Sequence, residues 1–313
     1  MNSDKNPVFI GGCDRSGTTL LASLLGAHPD CLVVPEFQFK IDLIHACKKE
    51  RSEVAWDFIS NNKRFKIWEL HSENVLYLKK RFLDKSVTVS ELIIDFADSY
   101  LRKTQSDTFK FWIDHTPVNL RFSSTLHEIY PHAKFIHIVR DGRAIARSVI
   151  PLDWGPNTIT ASAPWWLSNL AYGLLLETQL SQFSVLRVSY EELILSSEAT
   201  LKQISQFLSI EYRSEMLTGH FDLPTYTVNQ HQLVGKELEK SRINAWEDYF
   251  SSRQVEIFEN LTGDMLVLLG YELKCQGITT GLSRSERFKY ITTEYFQKQI
   301  NKVRHRKRAY RYL

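Results

Sequence analysis

The stretch from Pro7 to Asp30, PVFIGGCDRSGTTLLASLLGAHPD, decides the fold. Its first residues form a short apolar run ending in glycine, the mark of a buried strand. A polar turn follows, and then Leu20, Leu21, Leu24 and Leu25 recur with helical spacing. Gly26, His28 and Pro29 stop that helix. CLVVP, from Cys31 to Pro35, reads as a second buried strand. Strand, loop, helix and strand in this order form the unit of a parallel sheet with a right-handed crossover.

Inside the turn, Gly12 and Gly17 stand five apart and Thr18 and Thr19 follow. A strand before and a helix after are the setting of a phosphate cradle. Glycine lets the backbone wrap an anion, and the helix start supplies free N–H donors and a positive dipole end. The spacing approaches G-x-x-x-x-G-K-[ST], with Thr18 where the lysine would stand. That lysine reaches the β- and γ-phosphates of a nucleoside triphosphate. The loop therefore suits a single phosphate group, with Arg15 as the cation near its crest. A glycine turn without a ligand is the plain alternative.

Further along, KFIHIV (Lys134 to Val139) is a continuous β-rich run of the kind buried on both faces of a parallel sheet. Arg140, Asp141, Gly142 and Arg143 turn it into a helix, and Ser148 lies eight residues past Arg140. A cation and a hydroxyl bracketing a helix start at a strand's C-terminal end make a second anion site. Two such sites on one sheet imply a ligand with two separated phosphates. Asp141 reads as a helix cap, with Arg143 and Arg147 facing solvent. Other expected strands are Phe109 to Asp114 and Phe183 to Val188; helices are expected over Val118 to Tyr130 and Ala163 to Gln182. Residues 40 to 103 read as a helical excursion, and the chain after Tyr190 as helical. The fold class is α/β, a P-loop-NTPase-like doubly wound parallel sheet with helices on both faces.

Composition agrees. At 313 residues, 43% hydrophobic and 24% charged, the chain is not collagen-like, disordered or a disulfide scaffold. One large domain over 1–313 is expected, carrying the helical insertion (about 40–108) and a basic helical tail (281–313). The net charge of +3 is uneven: from Gly281 to Leu313 ten Lys/Arg face two Asp/Glu, leaving the rest acidic. That tail reads as a solvated helix, or as a contact for an acidic partner or a membrane surface. No apolar run nears the roughly 20 residues that cross a bilayer. MNSDKNPVFIGG lacks a hydrophobic signal core. Four unpatterned cysteines fit a reducing compartment, so a cytoplasmic location is expected.

GGCDRSGTTLLASLLGAHPD together with KFIHIVRDGRAIARS resembles the sulfotransferase superfamily, in particular the branch of the tyrosylprotein sulfotransferases and their bacterial relatives. Further likeness lies in VLRVSYEELILSSEATLKQISQFLSI and in SRINAW before LGYEL. The resemblance runs from about Pro7 to Leu273, with a gap between Lys40 and Thr108. It implies that 3′-phosphoadenosine-5′-phosphosulfate (PAPS) is the donor and 3′,5′-bisphosphoadenosine (PAP) the product. Arg15, Ser16, Gly17, Thr18 and Thr19 would hold its 5′ side, Arg140 and Ser148 its 3′-phosphate, and Tyr190 would lie near the adenosine. Glu36 matches the catalytic glutamate of the tyrosylprotein branch. His115 falls where many relatives carry lysine before Thr-Pro; as imidazolium it would replace that cation, as imidazole it would itself take a proton. Arg15 is the expected cation at the bridging oxygen, with Ser241 as a second donor.

Sulfuryl transfer needs acceptor and donor in line, a base for the acceptor's proton, and stabilisation of the leaving phosphate. No acidic or His/Cys grouping calls for a metal. Glu36, between Pro35 and Phe37, is expected to be partly desolvated with a raised pKa. The tyrosylprotein branch has an arginine shortly after its glutamate; here Phe37, Gln38 and Phe39 precede Lys40. Phe37, Phe39, Trp165 and Trp166 therefore suggest an apolar or ring-bearing acceptor. The acceptor is expected to be a hydroxyl (or amine) on a small molecule, glycan or peptide, with no specific nucleic-acid partner and a homodimer as the oligomer to look for. Two other readings stand at this point. One is a nucleotide kinase, which the glycine spacing favours and Thr18 and the missing magnesium aspartate disfavour. The other is a catalytically silent nucleotide-binding scaffold.

Overall fold

The computed structural model describes residues 5–104, 109–219, 239–275 and 280–311. The chain opens with β1 (Asn6–Gly11), α1 (Thr18–Gly26) and β2 (Cys31–Val34). Five helices follow: α2 (Lys40–Lys49), α3 (Glu53–Ser60), α4 (Lys63–Lys66), α5 (Ser72–Leu83) and α6 (Val89–Thr104). Then come β3 (Phe111–Asp114), α7 (Ser123–Ile129), β4 (Lys134–Val139), α8 (Gly142–Val149), α9 (Ile159–Gln179) and β5 (Val185–Ser189). The chain continues with α10 (Tyr190–Leu195), α11 (Ser197–Leu208), α12 (Ser252–Leu268) and α13 (Arg284–Arg311).

The strands form one sheet in the order β2-β3-β1-β4-β5, with β1–β3, β1–β4 and β2–β3 paired in parallel. The two strands expected to end in anion sites, β1 and β4, are thus neighbours. Val8, Phe9 and Ile10 of β1 and Phe135 to Ile138 of β4 are all fully buried. Successive strand residues point to opposite faces, so both faces of the sheet are covered. Crossovers through helices explain the parallel pairing: each strand starts again from the same end of the sheet.

Contacts group the chain into two compact units. The first comprises Met1–Gly12, Gly17–Ile138 and Leu175–Leu238; the second comprises Cys13–Ser16, Val139–Leu174 and Glu239–Leu313. In the first unit, Phe9, Trp112, Tyr130 and Phe135 pack together on the sheet. The excursion contributes its own aromatic nest. Phe37 lies 4.6 Å from Phe39 and 4.7 Å from Trp68 between ring centroids, with Phe65 and Phe96 against them. Phe37 and Phe39 are therefore core and do not line an acceptor pocket, a correction to the sequence reading. Burial of such rings contributes about 1.5–3 kcal/mol each and holds the helices of the excursion together.

The expected helix over 118–130 is divided. Pro117–Phe122 is a 3-10 helix and only Ser123–Ile129 is α-helical. Two ties tighten that first turn. Gly12 N–H donates to Pro117 O at 3.0 Å, and Asn119 Nδ2 donates to Ile10 O at 3.0 Å and Asp114 O at 2.8 Å. Gly11 makes the close approach feasible, because a Cβ there would meet Leu120 Cγ at 2.6 Å.

In the second unit, Trp166, Trp246, Phe250, Phe258 and Leu266 form the core beside α8. Trp166 lies under Gly142, so it too is core, while Trp165 is half-buried. Asp141 caps α8 as expected, accepting from Arg143 N–H at 2.8 Å. Arg143 does not face solvent. It is buried, bonded to Asp141 Oδ2 at 2.7 Å, to Glu259 and to Glu272 O at 3.0 Å, and stacked 4.1 Å over the Trp246 ring. Asp141 and Glu259 supply the two carboxylates that make burial of the guanidinium tolerable. Arg147 is exposed, as expected. α13 is docked by Glu294, whose Oε2 accepts from Asn157 N–H at 3.0 Å and Thr158 Oγ1 at 2.9 Å. All four cysteines are free thiols; Cys13 and Cys31 are buried.

Candidate functional site

The turn after β1 is shaped by its own backbone. Ser16 N–H and Ser16 Oγ both donate to Cys13 O, at 3.1 and 2.6 Å, closing a tight bend. Arg15 at its crest has φ 72°, the left-handed region that a side chain enters only at a cost of about 1–2 kcal/mol. Backbone strain of this kind collects at ligand sites. Gly17 continues with φ 102° and starts α1. α1 has no acidic residue in its first turn, so nothing competes there for an anion.

Around the crest, the second unit brings three of the expected residues together. Arg15 Nε donates to Ser148 Oγ at 3.0 Å. Arg140 Nη1 donates to Arg15 O at 2.9 Å, and its Nη2 donates to Arg242 O at 3.3 Å. Arg140 thus clamps two backbone carbonyls, one on each side, and fixes the crest. Ser241, next to Arg242 in sequence, is exposed in the 3-10 turn Lys240–Arg242. The result is two guanidinium groups and a hydroxyl on one short stretch, with Ser16 buried beneath. Two planar cations with forked donors suit the oxygens of phosphate or sulfate. Sequence reasoning missed Arg242, because its backbone carbonyl, not its side chain, is what Arg140 holds.

The first unit holds the other expected residues in two groups. Gly17 lies under the ring of Tyr190, where a Cβ would meet Cδ2 at 2.6 Å. Thr18 and Thr19 are buried in the first turn of α1. The second group surrounds Asp114 at the end of β3. Its carboxylate is fully buried and pairs with Lys40 at 2.8 Å. It also accepts from Thr116 N–H at 2.9 Å and Phe37 N–H at 3.4 Å. Lys40 Nζ in turn donates to Phe37 O at 3.2 Å. Both backbone polar groups of Phe37 are therefore held by the Lys40–Asp114 pair, and Glu36 is the residue just before it. Glu36 itself is half-buried and accepts from Gln38 Nε2. Lys40 and Asp114 escaped the sequence reading because a lysine and an aspartate 74 residues apart carry no local pattern; only β3 lying between β2 and β1 brings them together.

Burial alone would push the Asp114 carboxyl up, but the Lys40 ammonium and the Thr116 hydrogen bonds hold it below the usual carboxylate range. His115, beside it, is 3% exposed and its pKa is pushed down to about 4, chiefly by burial. At neutral pH the ring is uncharged. That enclosure favours the neutral imidazole over the imidazolium, the first of the two roles read from the sequence. Among the described residues no three His, Cys, Asp or Glu side chains group as metal ligands.

The sulfotransferase family profile matches residues 7–214, which takes in both glycine turns and Glu36. Protein-tyrosine sulfotransferase A of Caenorhabditis elegans is 25% identical over 249 residues, 77% of this chain and 57% of that protein. A putative protein-tyrosine sulfotransferase of Caenorhabditis briggsae is 24% identical over 281 residues, 85% of this chain and 89% of its own. The chain thus spans little more than half the length of the first relative. Among solved structures, the sulfotransferase domain of the Synechococcus PCC 7002 olefin synthase superposes with a TM-score of 0.63 at 18% identity. That match covers 86% of this chain and 95% of the domain, and it speaks for the fold.

Proposed function

The chain belongs to the sulfotransferase family, and on that footing we propose that it moves the sulfuryl group of PAPS to a hydroxyl acceptor by direct in-line transfer. One observation carries the reading: Arg15 and Arg140 meet at the crest of the glycine turn, with Ser148 bonded to the first. A nucleotide with phosphates at both ends of one ribose needs cations of this kind, and no lysine follows Gly17 to take a triphosphate.

In this reading Arg140 and Ser148 bind the 3′-phosphate, and Ser16, Gly17, Thr18 and Thr19 give backbone and hydroxyl donors to the 5′ side. Arg15 exchanges Ser148 for the ligand and stabilises the charge that develops on the bridging oxygen as the S–O bond to the phosphate breaks. Glu36 accepts the proton of the acceptor hydroxyl as its oxygen bonds to sulfur. PAP and the sulfated acceptor leave. Ser241 is a further donor to the leaving group, and Tyr190 packs at the adenosine. The acceptor class is a hydroxyl on a peptide, glycan or small molecule; the tyrosine-directed names of the relatives favour a phenolic hydroxyl.

Incubation with radiolabelled PAPS and an acceptor library tests this. Label is expected to pass to a hydroxyl-bearing acceptor, without magnesium and with PAP as the competing product. Transfer of phosphate from ATP instead would make the chain a kinase.

A further inference from the structure

α13 runs for 28 residues, about 42 Å at the helical rise. Among its described residues, the side chains that fasten it to its own unit lie on one face. Glu294 accepts from Asn157 and Thr158, buried Asn301 donates to Asn157 Oδ1 at 3.0 Å, and Glu286 pairs with Arg253 at 2.8 Å. These ties are polar, and half-buried Tyr290 on the same face packs against the apolar core of that unit.

The outer side is the reverse. Phe288, Ile291, Tyr295, Phe296, Ile300 and Val303 are 45–71% exposed. Apart from the adjacent Tyr295 and Phe296 they recur three and four residues apart, which at ~100° per residue gathers them on the half of the helix opposite Glu294 and Asn301. A helix side turned to water is normally polar; six large apolar side chains in a row mark a surface that something covers. Lysine and arginine border the stripe. Arg287 and Lys298 fall along one margin and Arg304 along the other, all exposed. Between Gly281 and Leu313 there are ten Lys/Arg, and the two acidic residues, Glu286 and Glu294, are the ones engaged with Arg253 and Asn157.

We propose that α13 lies in the plane of an anionic lipid surface, its apolar stripe sunk among the headgroups and its basic margins on their phosphates. An apolar face with cationic borders and low mean hydropathy is the pattern of an interfacial helix. No described helix is long and apolar enough to cross a membrane, so the contact rests on the surface. A nucleic acid would use the charges and leave the rings in water, and a second copy of this chain would set the two basic margins against each other. A lipid surface satisfies both features at once. The contact is independent of the transfer chemistry.

The test is co-sedimentation of the full chain with vesicles of phosphatidylcholine alone and of phosphatidylcholine with one-third phosphatidylserine. Binding to the second kind only, weakening as salt rises, is expected. Lys298→Ala with Arg304→Ala lowers the partition coefficient about 30-fold, at one basic side chain's contribution each. Ile291→Ser with Phe296→Ser abolishes binding while the melting temperature stays the same, since both side chains are already exposed. Failure to sediment with anionic vesicles overturns the proposal. So does binding that survives Ile291→Ser with Phe296→Ser, or a concentration-dependent dimer lost in that variant while vesicles are ignored.

Discussion

His115 shows how enclosure sets a side chain's chemistry. A free imidazole titrates near 6.5, whereas burial has pushed this one down to about 4. Between those two values the unfolded chain takes up a proton that the native chain refuses, so stability falls as pH drops through the window. The full difference is roughly 3 kcal/mol. Melting temperatures from pH 7.5 to 4 read it, and His115→Gln is expected to flatten the curve; an unchanged slope would clear His115 of the effect. Between pH 6 and 8 the ring does not titrate, so it should leave no inflection in the transfer rate. Glu36→Gln is expected to keep PAP affinity and lose about 10²–10⁴-fold in transfer. If Glu36→Gln stays active while His115→Gln does not, the base is the histidine. Arg140→Ala removes a charge-assisted bond contributing about 1.5–3 kcal/mol, so calorimetry should find PAP bound about 10–100-fold more weakly.

The junction of β4 and α8 makes the case for elements. Asp141 caps the helix, Arg143 reaches from its first turn to Glu259 on α12, and Glu259 also accepts from Lys274 and Cys275 N–H at 3.0 and 2.9 Å. Glu259→Ala would strand part of a buried guanidinium and two backbone donors. It should cost about 3–5 kcal/mol in a denaturant melt. Gly142→Ala would set a methyl against the Trp166 ring at 2.6 Å and cost about 1–3 kcal/mol. These junctions also show what a sequence yields. β1, α1 and β4 were legible because their apolar spacing is local, and the sequence also marked Arg15, Arg140 and Ser148, which the structure brings together at the turn after β1. Arg143 read as a solvent-facing residue because its second carboxylate lies 116 positions away. The 3-10 turn at Pro117 was hidden for a similar reason, since Ile10 and Gly12 hold it from the far side of the chain. Phe37 and Phe39 looked like pocket walls only because nothing local announces Trp68 and Phe96 as their neighbours.

For the molecule as a whole, donor binding and folding are linked. PAP at about 100 times its dissociation constant is expected to stabilise the native state by about 2.7 kcal/mol, visible as a raised melting temperature. A larger rise with ATP and magnesium would count against the donor assigned here. The four thiols lead elsewhere. Burial raises Cys13 well above its ordinary value and Cys31 to about 12, and Cys47 and Cys275 are raised as well, again chiefly by burial. Thiolate is what reacts with alkylating and oxidising reagents. A maleimide dye should therefore tag the native chain slowly and the denatured chain at once, which turns its own sulfur atoms into a clock for transient opening.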